Sequence, residues 1–156
     1  YTAITNWLQD MSFAGEFNRA TTFEHILTQA AEYGFTTIIT PNEQIVTGLK
    51  ENNLSVILKK DILSNEEITK LSNLKTVADY VLVESTNNTI LTQSQIAELS
   101  IQLPLLVGTE VTPETVNKFI ENTDLEGIAL KGSEEIRTGF VDLDAMADLL
   151  EAIEVD

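Results

Sequence analysis

LLVGTEVTPETV (105–116), a helix-forming segment, and then GIALKGSEEIRTGFVDLDAM (127–146) decide how this chain folds. The stretch reads as two consecutive strand–loop–helix units of a parallel β/α protein. Each loop falls at the carboxyl end of a strand and the amino end of the next helix, where such folds usually hold a phosphate. Yet the first loop carries Glu110, and the second carries Glu134 and Glu135. The scaffold suggests phosphate binding and the side chains oppose it.

Outward from that stretch, apolar runs of strand length recur at 35–40 (FTTIIT), 54–58 (LSVIL), 79–83 (DYVLV), 103–107 (LPLLV) and 126–130 (EGIAL), with a weaker one at 11–17 (MSFAGEF). They are continuous rather than alternating, as expected of parallel strands covered on both faces. Helical start signals lie between them. Thr21 to Glu24, Ser64 to Glu67 and, more softly, Thr92 to Gln95 fit the capping-box pattern, in which a hydroxyl and a side-chain carbonyl satisfy free amides reciprocally. Thr40-Pro41 and Thr112-Pro113 place Pro at a first helical position. Met146, Leu149, Leu150 and Ile153 form a helical stripe, with Asp142 as its cap. No linker or low-complexity tract interrupts residues 1–156, which read as one domain of about six β/α units.

Two architectures fit that run. An open, doubly wound sheet suits about 150 residues. A TIM-like barrel needs eight units and typically ~200–250 residues. Length alone favours the open sheet.

The bulk properties bound the function. With 25 acidic and 9 basic residues the net charge is −16, a field that repels nucleic acid and anionic membranes. No apolar run approaches the roughly 18–20 residues of a membrane helix, and no basic leader is visible. A cytoplasmic setting is the default, although Tyr1 in place of an initiator Met points to processing or trimming. Zero Cys removes disulfides and thiolate chemistry, and a single His, His25, leaves no metal site. No cofactor is expected. Lys59-Lys60-Asp61 reads as a solvated strand end, and Trp7 as a packing residue.

The loop sequences alter the ranking of folds. Glu135, Gly139 and Asp142 keep an ungapped spacing that resembles the last strand–helix unit of the phosphoribosylanthranilate isomerase family. Val107-Gly108-Thr109-Glu110-Val111-Thr112-Pro113-Glu114-Thr115-Val116 resembles that family's strand-seven pattern of leucine, Ser-Gly-Gly and Asn-Pro-Glu-Asn-Val. ILTQAAEYGFTTIITPNE (26–43) is similar to its third helix and fourth strand, with Asn42 and Glu43 matching and Thr40-Pro41 standing where the family has His-Gly. The resemblance runs from the third strand to the eighth helix. It implies parallel β/α units of a TIM (βα)8 barrel, here about six, as a partial or shortened barrel.

The resemblance also implies an aldose-to-ketose rearrangement of a phosphorylated sugar amine, as in tryptophan biosynthesis. The family's thiolate base has no counterpart in this chain, while Glu84 matches its carboxyl acid by position and is one methylene longer. Gly108, Thr109, Lys131, Gly132 and Ser133 match the phosphate loops, whose glycines admit an anion to backbone amides. Glu110 replaces the last of those glycines in the first loop. The expectation is an impaired or inactive isomerase-like protein for a small phosphorylated sugar or related ligand. The alternative is a non-catalytic ligand- or protein-binding module on a barrel scaffold. An exposed sheet edge would need cover, from the segment around Trp7, from a second copy in a homodimer, or from residues outside these 156.

Overall fold

A computed structural model describes residues 11–62, 70–71, 77–85, 92–108, 112–130, 135–137, 140–141 and 144–154. Six strands, β1 (Ala14–Glu16), β2 (Thr37–Thr40), β3 (Ser55–Ile62), β4 (Tyr80–Ser85), β5 (Leu105–Val107) and β6 (Gly127–Ile128), form one sheet in the order β1-β2-β3-β4-β5-β6. Every neighbouring pair is parallel. All six strand-length runs in the sequence therefore become strands.

The order itself decides between the two architectures. A doubly wound sheet reverses direction at a switch point and so places helices on both faces. Here each strand lies beside its predecessor, and right-handed crossovers then put every helix on the same face. The result is a half-barrel with alternating helices, and length proves a poor guide to winding.

The pleat sorts the side chains. Ile38, Val56, Leu58, Val81, Val83, Leu105 and Val107 are fully buried on the helix side, packed with Ile26, Leu49 and Ile96 from the helices. Their neighbours Ile39, Ile57 and Leu106 lie on the opposite, concave side and are half-buried. The expectation of cover on both faces thus holds fully for the helix side only.

Five α-helices are described: α1 (Phe23–Tyr33), α2 (Val46–Glu51), α3 (Gln93–Gln102), α4 (Pro113–Asn122) and α5 (Asp144–Glu154). In α1, Ile26 and Ala30 lie one turn apart and are buried against the sheet. Its cap is Thr22, whose hydroxyl accepts from the His25 amide, one residue later than the Thr21–Glu24 box predicts. Thr21 instead donates its hydroxyl to Asn18 Oδ1. The Thr92–Gln95 box forms in both directions, and Pro113 begins α4.

Thr40-Pro41 does not open a helix. The fully buried Thr40 accepts the Asn42 amide, and Asn42 caps a short 3-10 turn, Glu43–Ile45, ahead of α2. On α5, Leu149 is buried while Leu150 and Ile153 stay exposed, so only part of the predicted stripe is used.

The other departure is a two-stranded antiparallel hairpin, β7 (Glu135–Arg137) with β8 (Phe140–Val141), between β6 and α5. The sequence reading has only a loop there. Trp7, Ser64 to Glu67 and the proposed cap Asp142 lie outside the described residues.

Candidate functional site

The carboxyl ends of the strands converge on the concave side, and the register fixes which side chains meet there. Ile39 pairs with Glu16 and with Ile57, so Glu16 shares the concave face with Ile57 and, two residues on, Lys59 and Asp61. Lys59 lies beside Leu82, and Asp61 beside Glu84, across β3 and β4. Adjacent like charges on one sheet face repel. Lys59 relieves that repulsion: its ammonium donates to Glu84 at 3.0 Å and to Glu16 at 2.8 Å.

The link to Glu16 crosses β2, a span of two inter-strand spacings or roughly 10 Å. Only long side chains rising from the same face close it. The Lys59 side chain is 25% exposed. The hydrogen bond to Glu16, opposed by burial and aided by Glu84, raises its pKa above the ordinary lysine value. A lysine acting as a nucleophile needs the opposite shift. Lys59 is therefore an ammonium that organises carboxylates, not a latent amine.

Glu84 stands at the end of β4 on this face and is partly buried. Gly108, just beyond β5, lies directly against it. A Cβ at Gly108 would sit 3.0 Å from Glu84 Cγ and 3.6 Å from its Oε1. The Gly108 amide donates to the Val83 carbonyl at 2.9 Å and so continues the ladder. These two predicted residues are brought together, and the glycine makes room for the carboxylate.

Thr109, Glu110, Lys131, Gly132 and Ser133 lie outside the described residues. At the amino end of α4, the Glu114 carboxyl takes a hydrogen bond from Thr112, which holds it below the usual carboxylate range. A carboxylate there complements the positive end of the helix dipole, the position an anion would otherwise take.

Lys59, Glu16 and Asp61 join the site although the sequence reads Lys59-Lys60-Asp61 as a solvated strand end. The signal for Lys59 was available in the period-two alternation of β3, where Val56 and Leu58 turn inward to the helices. Its neighbour Lys60 follows the helix-side set and pairs with Glu43. Nothing in the sequence marked Glu16 as its partner. Beside this cluster an open cavity of about 470 Å³ lies at the ends of β1 and β3, with Arg19, Pro41, Lys59 and Asp61 on its walls. Among the described residues no group of His, Cys, Asp and Glu is arranged to hold a metal ion, and no helix is long and apolar enough to cross a membrane.

No family model matches the chain, and no curated protein sequence does. Solved structures do. A phosphoribosylanthranilate isomerase from Thermotoga maritima superposes with a TM-score of 0.78 at 16% identity, over 96% of this chain and 77% of that one. A phosphoribosylanthranilate isomerase in complex with reduced 1-(o-carboxyphenylamino)-1-deoxyribulose 5-phosphate gives 0.75 at 17% identity, over 96% and 75%. A 3-hexulose-6-phosphate synthase gives 0.67 at 13% identity, over 97% and 78%. Identities this low show the barrel-type fold alone.

Proposed function

We propose that this chain is a phosphoribosylanthranilate isomerase-like protein whose concave site takes a small phosphorylated sugar or a related ligand. As it stands, the chain is impaired in aldose–ketose isomerisation. The observation that carries this reading is the position of Glu84, at the carboxyl end of β4 on the concave face, with Gly108 against it. That is where the resemblance implies the acid.

The reaction needs an acid at the ring oxygen and a base at the sugar C2 proton, held on opposite sides of the substrate. In Glu84, Oε2 is paired with Lys59, a contact that a substrate would have to share or displace. The base has no counterpart among 156 residues that contain no Cys. Glu110, within the loop proposed to hold phosphate with Gly108, Thr109, Lys131, Gly132 and Ser133, adds like charge of order 1–4 kcal/mol against the anion at effective dielectrics between water and ~20. A cytoplasmic setting and a homodimer packed along the sheet edge at β1 belong to the same reading.

A second reading, a non-catalytic binding module, is favoured by one observation. The concave charges Glu16, Lys59 and Glu84 are paired with one another.

Complementation of a tryptophan auxotroph lacking the isomerase tests activity. No growth is expected, and growth abolished by Glu84→Gln would refute the impairment. Titration with the reduced deoxyribulose 5-phosphate analogue tests the site. Binding weakened by Glu84→Gln supports an inherited ligand site, and no binding favours the module. Sedimentation velocity reads the dimer directly.

A further inference from the structure

The cavity at the carboxyl ends of β1 and β3 is not the place where the isomerase resemblance puts an acid or a phosphate. At about 470 Å³ it falls within the roughly 300–1,000 Å³ range of small-molecule pockets. Its walls carry two cations, Arg19 and Lys59, and two anions, Glu16 and Asp61. Lys59 and Glu16 are already committed to each other at 2.8 Å. Arg19 and Asp61 are exposed and have no ion-pair partner among the described residues. Phe17 and Pro41 add apolar wall between the charges.

The charges select the ligand. A phosphate would meet Arg19 but also Glu16 and Asp61. A diamine would meet Asp61 but also Arg19 and Lys59. We propose that this cavity binds a small zwitterion, with its carboxylate on the Arg19 guanidinium and its ammonium on the Asp61 carboxylate. The Lys59–Glu16 pair, already closed, completes the lining. Such a molecule carries no net charge, so the −16 field of the protein does not oppose its approach. The loop that presents Arg19 is tied down on either side, because Asn18 Oδ1 accepts from the Ala20 amide at 3.0 Å and from the Thr21 hydroxyl at 3.1 Å. Arg19 can therefore meet a ligand without first ordering its backbone.

Isothermal titration of the full chain with glycine, L-serine, β-alanine and γ-aminobutyrate tests this, since these probes set the two charges progressively further apart. Inorganic phosphate and putrescine are the single-sign controls. One zwitterion per chain is expected, with neither control binding. Arg19→Gln and Asp61→Asn should each weaken it by about ten- to hundredfold, as a lost charge-assisted hydrogen bond does. Both side chains are exposed, so the unfolding midpoint of each variant should match the parent. The proposal is overturned if no zwitterion binds at about 10 mM, or if binding survives both substitutions. It is equally overturned if phosphate or putrescine binds as well as the zwitterions.

Discussion

Lys59 and Lys60 are consecutive, and the pleat sends them to opposite faces of the sheet. Lys60 pairs with Glu43 beside the helices, while Lys59 spans Glu16 and Glu84 on the concave side. Read as letters, Lys-Lys-Asp is a solvated strand end. What separates the two lysines is the burial of Val56 and Leu58, visible only once β3 has a core face. Replacing Lys59 with Met removes the cation that links Glu16 to Glu84. A partly buried pair broken on one side costs more than the ~0–1 kcal/mol of a surface pair. Lys59→Met is expected to lose about 1–2 kcal/mol at pH 7, or roughly 2–8 °C in Tm. The raised Lys59 pKa means its contribution is complete below the unfolded value near 10.5 and is lost only as pH climbs through the higher folded value. Thermal melts should therefore show the same gap between parent and variant at pH 7 and pH 9, narrowing only at strongly alkaline pH. A gap already closed at pH 9 would remove Lys59 from this role.

At the scale of elements, local chemistry was legible wherever one side chain completes it. The Thr92 box formed as read because Gln95 reaches back to its own cap. The helix starts one residue later than the Thr21 box predicts, with Thr22 accepting the His25 amide while Thr21 donates its hydroxyl to Asn18 Oδ1. The β7–β8 hairpin went unread although Thr138-Gly139 separates two short runs, since the spacing of Glu135, Gly139 and Asp142 pointed to a single loop. The end of α1 gives a clean test of such local terms. Gly34 holds φ at 71°, and its amide donates to the Ala30 carbonyl. Nothing lies within 4 Å of where a Cβ would be, so backbone strain alone sets the cost of a side chain. Gly34→Ala should lose about 1–2 kcal/mol by equilibrium denaturation, and Gly34→Asn less, because Asn tolerates the left-handed region. Equal losses for the two would point to some contact other than strain.

Across the whole molecule the two ends of the sheet carry different ion pairs, and in barrel-type folds the amino ends generally serve stability. The amino-end clamp is Asp79, which pairs with Lys50 at 2.9 Å and accepts the Val56 amide at 2.8 Å. Burial pushes its pKa up, but the Lys50 ammonium and the Val56 amide outweigh that and hold it below the usual range. A depressed carboxyl stabilises fully above its unfolded pKa near 3.9 and loses that contribution as pH falls through the lower folded value. Asp79→Asn should thus cost about 1–2 kcal/mol at pH 7, with the difference from the parent disappearing in acid.

The strands were legible in the sequence through the regular recurrence of apolar runs, and their barrel-type order only through the family resemblance, whereas the charge pairing at the sheet ends was not legible, because it depends on residues far apart in the chain. Three of the nine basic residues, Lys50, Lys59 and Lys60, are engaged in the ion pairs among the described residues, against 25 acidic ones overall. Two opposing effects of salt follow. Screening weakens these pairs, each worth at most about 1 kcal/mol where exposed. It also weakens the mutual repulsion of an excess of 16 negative charges, and that repulsion acts over the whole surface at low ionic strength, where the screening length is roughly 30 Å at 0.01 M. The repulsion has far more pairs to relieve, and the Lys59 cluster is shielded by partial burial. Raising NaCl from about 0.01 M to about 0.3 M at pH 7 is therefore expected to raise the melting temperature by roughly 2–6 °C. A fall instead would mean that the ion pairs at the two sheet ends outweigh the net charge. Repeating the titration on Lys59→Met separates the terms: with the central cation gone, the salt-induced rise should be larger than in the parent.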